Sequence, residues 1–352
     1  MPNEQLTCDW CGNNILDGQE QGVNDNTCCS TCVENAETCD CCGELYAPNS
    51  DGSWGGMCPP CAENHFVCDS CEETYSNSDY GADGLCEACY NEHEGAGRLI
   101  KEYHDGAKCG VRFLPNHNNT LYFGVELETD YYNDKNAAAE DLTAICQRDT
   151  LFWLEQDASL AKGIEIITQP CTLAYHRDIF PWENIIKIVE KHGGRSHDTT
   201  TCGLHIHFSR AFFRKHPELY QLRLIYLFEK FWNELVIFSR RDASQLEQNA
   251  KKYGRPLFNC RAKRKMRELQ QDFHRYQAVN IRKRETIEIR IFRGTLILNT
   301  ILASLELVDF LVRLSASTST KKLQELTWKE LKEKISSKQY SYLNQYLAER
   351  RL

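Results

Sequence analysis

The segment Phe123-Gly124-Val125-Glu126-Leu127-Glu128 alternates apolar and acidic side chains. Side chains two positions apart in a β-strand point to the same face, so Glu126 and Glu128 share one face of the strand. Val125 and Leu127 share the opposite face, which can pack against a layer of helices. The segment therefore predicts a strand in a sheet that has one apolar face and one face carrying carboxylates.

Three later segments repeat this alternation with other polar groups. They are Gly163-Ile164-Glu165-Ile166-Ile167, Leu204-His205-Ile206-His207-Phe208 and Ile287-Glu288-Ile289-Arg290-Ile291. One such strand alone is typical of a half-solvated sheet, but a solvated face is ordinarily built from Thr, Ser, Lys and Gln. Strands paired in one sheet would gather these Glu, His and Arg side chains on a concave polar surface. Carboxylate and imidazole donors suit Mg²⁺ or Mn²⁺, which would also relieve the repulsion between the acids.

Helical patterns alternate with these strands and indicate an α+β fold. We predict helices at 136–149, 174–192, 217–239 and 295–315, and two short amphipathic helices within 327–350. Their apolar residues should cover the apolar, outer face of the sheet. A basic run at 251–284, with twelve Lys and Arg against two acids, is typical of a solvated helix face. Contact with phosphate or nucleic acid is the alternative for this run.

The chain divides into two parts of opposite charge. Residues 1–97 contain nineteen Asp and Glu but no Lys or Arg, a net charge of -19, whereas residues 98–352 carry a net charge of +10. Fourteen of the nineteen cysteines lie between Cys8 and Cys89. Composition alone therefore predicts a domain boundary near residues 94–98.

Twelve of these cysteines form six C-x-x-C pairs, which group into three repeated units. The units span 8–32, 39–61 and 68–89, and each begins Cys-Asp-x-Cys. Such a period indicates an internal repeat of one small supersecondary unit. The pairs are Cys8 with Cys11, Cys29 with Cys32, Cys39 with Cys42, Cys58 with Cys61, Cys68 with Cys71, and Cys86 with Cys89.

Two C-x-x-C turns at this spacing indicate zinc, because each turn directs two sulfurs at one ion and two turns complete a tetrahedral thiolate shell. We expect about three Zn²⁺ ions per chain, although neighbouring units could exchange pairs in a cross-brace. A secreted disulfide scaffold is the alternative, which the lack of an export signal disfavours. Cys28 and Cys41 are expected to be free thiols. His65 and His93 are expected to be surface residues or, alternatively, replacement ligands.

The acidic, cysteine-rich region is predicted to bind protein. Nucleic-acid binding requires Lys and Arg for the phosphates, and residues 1–97 have neither. A basic protein surface is the expected partner, and a structural cap on the rest of the chain is the alternative. No segment is apolar enough to cross a membrane and no signal peptide precedes the first repeat, so we expect a cytoplasmic protein.

The ordered motifs after residue 120 resemble the amidoligase family, within the carboxylate–amine ligase superfamily. Besides the four strand segments, the motifs are Asp157-Ala158-Ser159, Cys202-Gly203, Ser209, Arg275-Tyr276, Asn280 and Phe292-Arg293. The resemblance implies a glutamine synthetase-like fold, which is an antiparallel curved sheet with helices on its outer face. This catalytic domain would occupy 119–352, after a linker at 95–118 and zinc modules at 1–94. Some members of the family occur in phages and mobile elements.

The resemblance implies a site with two divalent ions. Glu126 and Glu128 would each face a different ion. Glu165 would join one ion, and His205 and Glu288 would join the other. All five side chains come from the alternating strands.

The resemblance also implies a set of groups that bind nucleotide and substrate. His207 and Ser209 would lie near ATP. Arg290 and Arg293 would hold phosphate or the substrate carboxylate, because a planar guanidinium binds such groups in a bidentate manner. Arg275 is a further candidate for the same contact.

The implied reaction is ATP-dependent amide formation. A substrate carboxylate attacks the γ-phosphate of ATP to give an acyl phosphate and ADP, and an amine positioned or deprotonated by Asp157 then displaces phosphate. The two substrates could be amino acids, peptides or proteins. A non-catalytic interaction protein and a metal-dependent hydrolase using His205 and His207 are the alternatives. The intact acids and arginines disfavour both.

Overall fold

The structure is a computed structural model of the chain, and it divides into two compact units, Met1–Gly95 and Ala96–Leu352. The residues that the structure describes are 6–16, 19–23, 26–48, 52–69, 71–82, 84–87, 89, 99–103, 110–115, 121–146, 150–157, 159–197, 199, 201–271 and 276–352.

The first unit is built from short antiparallel ribbons. β1 (Glu20–Val23) pairs with β2 (Asn26–Cys29), β3 (Glu37–Thr38) with β4 (Leu45–Tyr46), β5 (His65–Val67) with β6 (Thr74–Ser76), and β7 (Tyr80–Ala82) with β8 (Leu85–Cys86). Short helices lie at Ser30–Glu34 and Pro59–Ala62, and a 3₁₀ turn lies at Asn77–Asp79.

Among the described residues of this unit, the buried ones form three small, separate clusters. Each contains cysteines of one repeat, for example Cys39 and Cys58 packed with Tyr46, Met57 and Ala62. Clusters of this size bury too little apolar surface to hold a fold by themselves, so a domain of this kind depends on cross-links or metal.

The described part of the second unit contains one seven-stranded sheet. Its strands are β9 (Ile100–Lys101), β10 (Phe123–Thr129), β11 (Phe152–Glu155), β12 (Ile164–Thr168), β13 (Gly203–Ser209), β14 (Val279–Asn280) and β15 (Thr286–Arg293). Their order is β14-β15-β13-β10-β12-β11-β9. Neighbouring strands are antiparallel except for β9 and β11, which are parallel at one edge. The sheet and its helices confirm the α+β fold class.

Eleven α-helices of the described residues accompany the sheet. They are Lys135–Cys146, Leu173–Asp178, Trp182–Lys191, Pro217–Lys230, Trp232–Ser239, Ala243–Asn249, Ala262–Gln270, Leu298–Ser317, Thr320–Glu325, and Trp328–Glu333 followed by Ser341–Glu349 as the pair at the C-terminal end. A 3₁₀ helix follows β13 at Arg210–Phe213. The apolar strand residues Val125, Leu127, Ile206 and Ile289 are fully buried in one cluster with residues of these helices. The alternation seen in the sequence therefore decides which face of the sheet the helices cover.

Two predicted helices are interrupted, so their predicted extents were wrong. The helix expected at 174–192 breaks at 179–181, because Pro181 has no N–H to donate and disfavours helical geometry in the residue before it. The helix expected at 217–239 breaks at Phe231, whose ψ of 29° departs from helical geometry. The helices predicted at 136–149 and 295–315 are Lys135–Cys146 and Leu298–Ser317 in the structure, and residues 147–149 lie outside the described part.

No helix among the described residues combines the length and the apolar character needed to cross a bilayer. The longest, Leu298–Ser317, carries Glu306, Asp309 and Arg313 within it.

Candidate functional site

The pairing of three central strands brings distant polar side chains together. Across β10 and β13, Glu126 lies opposite His205. Across β13 and β15, His207 lies opposite Glu288. A register shift between Leu204 and Ile206 adjusts the alignment of these two strands. The carboxylates and imidazoles predicted from the alternating pattern therefore share one face of the sheet.

Glu126 lies at the centre of this group. Its Oε1 lies 2.8 Å from Nε2 of His207, and its Oε2 lies 3.2 Å from Nδ1 of His205. Oε1 of Glu288 lies 3.8 Å from Nδ1 of His205 and 3.9 Å from Nε2 of His207. Lys283 Nζ approaches Glu126 Oε1 to 3.6 Å. One carboxylate thus contacts both imidazoles and a cation.

A second row of acids crosses the neighbouring strands. Glu128 on β10 lies opposite Glu165 on β12, which in turn lies opposite Glu155 on β11. Glu128 accepts a hydrogen bond from the backbone N–H of Gly203, and its Oε1 lies 3.7 Å from Nε2 of His205. The row extends the acidic face towards the edge of the sheet.

Glu155 is a buried acid that the sequence analysis did not select. It is 1% exposed and accepts a hydrogen bond of 2.7 Å from the indole N–H of Trp153. The segment Phe152-Trp153-Leu154-Glu155 has the same alternation as the other strands. In this strand Trp153 takes the position of a second polar residue, so the alternation of apolar and charged side chains was not evident.

The charges in this region shift the pKa values of its acids in opposite directions. Burial alone would raise the pKa of Glu126, but His207 and Lys283 hold it well below its ordinary range. Burial is likewise outweighed at Glu288, where the charge of His207 lowers the pKa. At Glu165, burial and the neighbouring carboxylates both raise the pKa well above its ordinary value. A cation beside Glu165 would relieve this repulsion.

Two groups of potential metal ligands overlap at one residue. Glu126, Glu165 and His205 offer three donor atoms that lie within 4.8 Å of one another. Glu126, His207 and Glu288 form a second group within the same distance. Mostly oxygen donors with one imidazole in each group fit Mg²⁺ or Mn²⁺. In these two groups His205 lies with Glu165, and His207 lies with Glu288. His205 Nδ1 also lies 3.8 Å from Glu288 Oε1, so the expected sharing of one ion by His205 and Glu288 stays a prediction.

A cationic wall faces these acids. Arg290 forms an ion pair with Glu288, and Asn280 donates a hydrogen bond of 2.8 Å to the same carboxylate. The charges of Glu126 and Glu288 raise the pKa of Lys283 against the effect of burial. Arg241, which the sequence analysis did not select, is 7% exposed and donates to the carbonyl of Phe292. Arg290, Lys283 and Arg241 therefore stay protonated at neutral pH.

Both walls line one cavity of about 640 Å³. Its acidic lining is Glu126, Glu128, Asp157, Glu165 and Glu288, and its basic or imidazole lining is His205, Arg241, Arg282, Lys283 and Arg290. A cavity of this volume is in the range that holds small-molecule ligands.

Four expected site residues lie elsewhere or outside the described part. His207 contacts Glu126 from beside the cavity, and Ser209 ends β13. Arg293 donates to the carbonyl of Thr199 at 3.3 Å. None of these three lines the cavity as far as the described residues show. Arg275 lies outside the described residues.

The structure also brings the cysteines of each repeat together. The sulfurs of Cys8, Cys11, Cys29 and Cys32 lie within 4.8 Å of one another, and the same holds for Cys39, Cys42, Cys58 and Cys61 and for Cys68, Cys71, Cys86 and Cys89. The Cys42 and Cys58 sulfurs are 3.8 Å apart, which matches the edge of about 3.8 Å in a tetrahedron with Zn–S bonds of about 2.3 Å.

One backbone arrangement recurs in all three clusters. The sulfur of the first cysteine accepts a hydrogen bond of 3.3 Å from the backbone N–H of the third, from Cys29 to Cys8, from Cys58 to Cys39 and from Cys86 to Cys68. Backbone hydrogen bonds outweigh burial and lower the pKa of Cys8 and Cys39 to about 6. Burial raises the pKa of Cys32, and the hydrogen bond to Cys58 raises that of Cys61, so the fit of the donor sets to zinc rests on the four-sulfur geometry. His93 lies outside the described residues.

The acids and imidazoles of the site all lie within the part of the chain that one family model matches. The family model described as "Putative amidoligase enzyme" matches residues 119–312, and the chain therefore belongs to the amidoligase family.

Comparison with solved structures gives a more distant likeness. The chain is similar to the structure titled "Crystal structure of the complex between Prokaryotic Ubiquitin-like Protein Pup and its Ligase PafA", with a TM-score of 0.31 and 10% identity. The alignment covers 66% of this chain and 58% of that chain. No curated protein matches the sequence.

Proposed function

We propose that this protein joins a carboxylate to an amine with the consumption of ATP, in the presence of Mg²⁺ or Mn²⁺ and by way of an acyl phosphate. One observation supports this function above all. Two donor groups share Glu126, and their carboxylates line the same cavity as Arg290 and Lys283. A triphosphate needs both kinds of partner, divalent ions for some of its oxygens and fixed cations for others.

The acidic wall would hold the metal ions. Glu126, Glu165 and His205 would bind one ion, and Glu126, His207 and Glu288 would bind the other. When bound, such ions neutralise the charge that the phosphate oxygens carry during transfer. Glu128 would hold its place in this wall through the N–H of Gly203 and support the first group from the side.

The cationic wall would bind the phosphate and the substrate carboxylate. Arg290 is fixed by its ion pair with Glu288, which leaves its other N–H groups for an anion in the cavity. Lys283 and Arg282 line the same side. We assign Arg293 to positioning rather than contact, since its guanidinium is held by the carbonyl of Thr199.

The incoming amine would enter on the side of Asp157. This carboxylate lines the cavity and accepts a hydrogen bond of 2.6 Å from the backbone N–H of Ser159, which fixes its orientation. Asp157 adds a negative charge beside Glu165, whose pKa is raised in part by it. A protonated amine would be attracted to this position, and Asp157 would then hold or deprotonate it.

The first unit would bind a basic protein. It has no Lys or Arg, and four thiolates around each Zn²⁺ add further negative charge. Three four-cysteine clusters would take about three Zn²⁺ ions. A docking unit on a ligase favours a peptide or protein as one of the two substrates.

Product formation tests the proposed reaction. The purified chain is incubated with ATP, Mg²⁺ and pooled amino acids and peptides. We expect release of ADP and phosphate and a product whose mass equals the two substrates less one water. Glu128→Gln should abolish the product with the fold intact, whereas Glu183→Gln, a change at an exposed helix position, should leave it unchanged. If ATP does not bind at millimolar Mg²⁺, the proposal fails and a non-catalytic interaction protein becomes the better explanation.

A further inference from the structure

A cysteine and a histidine of the second repeat lie together outside its four-cysteine cluster. Cys41 sits between Cys39 and Cys42 in the first C-x-x-C turn, and its Sγ lies 3.9 Å from Nε2 of His65 at the start of β5. Cys41 is exposed and His65 is half-buried. Solvent and ions can therefore reach this pair.

The imidazole is already oriented as a metal ligand. Nδ1 of His65 lies 2.7 Å from the backbone carbonyl oxygen of Cys61. A carbonyl oxygen can only accept, so Nδ1 carries the proton and Nε2 presents its lone pair towards Cys41. Histidines that bind metal are typically held in this way, with the second ring nitrogen donating to a carbonyl or carboxylate.

The distance between the two donor atoms fits one shared ion. Zn–S bonds of about 2.3 Å and Zn–N bonds of about 2.05 Å at a tetrahedral angle place sulfur and nitrogen about 3.6 Å apart. The observed separation of Cys41 and His65 is 3.9 Å. A small side-chain rotation would bring both atoms into the coordination distance.

A third donor lies next to the pair. The side chain of Cys41 is also within hydrogen-bonding reach of the Cys61 thiol, which belongs to the four-cysteine cluster. A thiolate can bind two soft cations at once. The cluster with one Zn²⁺ carries two net negative charges in a unit with no Lys or Arg, so electrostatics favour a further cation there.

We propose that the second repeat contains an additional site for a thiophilic divalent cation such as Zn²⁺, formed by Cys41, His65 and the shared Cys61. The first repeat has Trp10 and Ala36 at the corresponding positions, and the third has Ser70 in place of the cysteine. The site is therefore specific to the second repeat. It raises the capacity of the chain from about three to about four Zn²⁺ ions. It does not depend on the proposed ligase reaction.

Zinc stoichiometry of the full chain tests the site. The metal-free, reduced protein is titrated with Zn²⁺ against a chromophoric chelator, which counts the bound equivalents. We expect about four for the wild type and about three for both Cys41→Ser and His65→Ala. Cys260→Ser, which changes a half-buried thiol of the second unit, is the matched control and should retain all of them.

The absorption of bound Co²⁺ provides a second measurement, because the bands would not change if His65 had only a structural role. Co²⁺ in a mixed sulfur and nitrogen site absorbs at different energies from Co²⁺ in a four-thiolate site, so His65→Ala should remove one class of bands only. Three equivalents in the wild type, unchanged in the Cys41 and His65 variants, would show that the pair is a simple hydrogen bond. Loss of the four-thiolate bands in His65→Ala would assign His65 to the cluster itself. Either result overturns the proposal, and neither bears on ATP turnover.

Discussion

The change Glu126→Gln tests the carboxylate shared by both donor groups. Gln keeps the shape of the side chain but removes its charge, and the low pKa of Glu126 means that the charge is present at neutral pH. Loss of one fixed electrostatic partner in an active site typically costs about 10²–10³-fold in turnover. Because Glu126 would serve both ions, we expect a loss of about 10³-fold or more, equivalent to about 4 kcal/mol.

The measurement is ADP release at saturating ATP over a range of Mg²⁺ concentrations. Glu126→Asp retains the charge on a shorter side chain, so it should lose less activity than Glu126→Gln and should recover part of it at high Mg²⁺. Glu183→Gln, on the exposed face of the helix Trp182–Lys191, should behave as the wild type. A Glu126→Gln protein that is folded and keeps more than about a tenth of the activity would refute the shared-ligand arrangement.

Three further predictions follow from particular contacts. Gly203→Ala would place a Cβ 2.5 Å from Arg241 Nη2 and 2.7 Å from His205 Nε2, so we expect at least a roughly tenfold loss of ADP release. Burial raises the pKa of Glu306 to about 7. The stability that protonated Glu306 contributes is therefore fully present below pH 4, near the unfolded pKa. It is lost as the pH rises through 7, because the buried carboxyl must then ionise. Glu306→Gln should consequently stabilise the protein at pH 8 by up to about 3 kcal/mol in chemical denaturation. A strong chelator should make residues 1–95 sensitive to protease while the second unit stays resistant.

Each of these predictions has a clear contrary result. Wild-type turnover in Gly203→Ala would mean that His205 and Arg241 can shift without consequence. An equal free energy of unfolding for Glu306→Gln and the wild type at pH 8 would show that Glu306 is charged at no cost in the folded state. If the first unit stays resistant to protease after complete removal of metal, its folding does not depend on zinc.

The period of the apolar residues was enough to predict the main strands and their faces. β10, β12, β13 and β15 all contain the alternating segments, and their Glu and His side chains do gather on one face. The pairing of donors could not be read from the sequence, because it depends on strand register. The shift between Leu204 and Ile206 on β13 decides which acid meets which imidazole.

Other residues of the site carry no periodic signal at all. Arg241 follows the helix Trp232–Ser239 by way of Arg240, which has a left-handed φ of 62°, and it reaches the cavity from this turn. Lys283 lies between β14 and β15 within a run of basic residues, where nothing distinguishes it from its solvated neighbours. Tertiary packing alone selects these two side chains.

The independence of the three four-cysteine clusters has a consequence for the evolution of the chain. Each four-cysteine cluster takes its sulfurs from its own stretch of about 25 residues, and the same N–H to sulfur contact recurs in every copy. Gain or loss of one copy by recombination would therefore leave the coordination of the remaining copies intact. The number of clusters could therefore change without any change in the second unit.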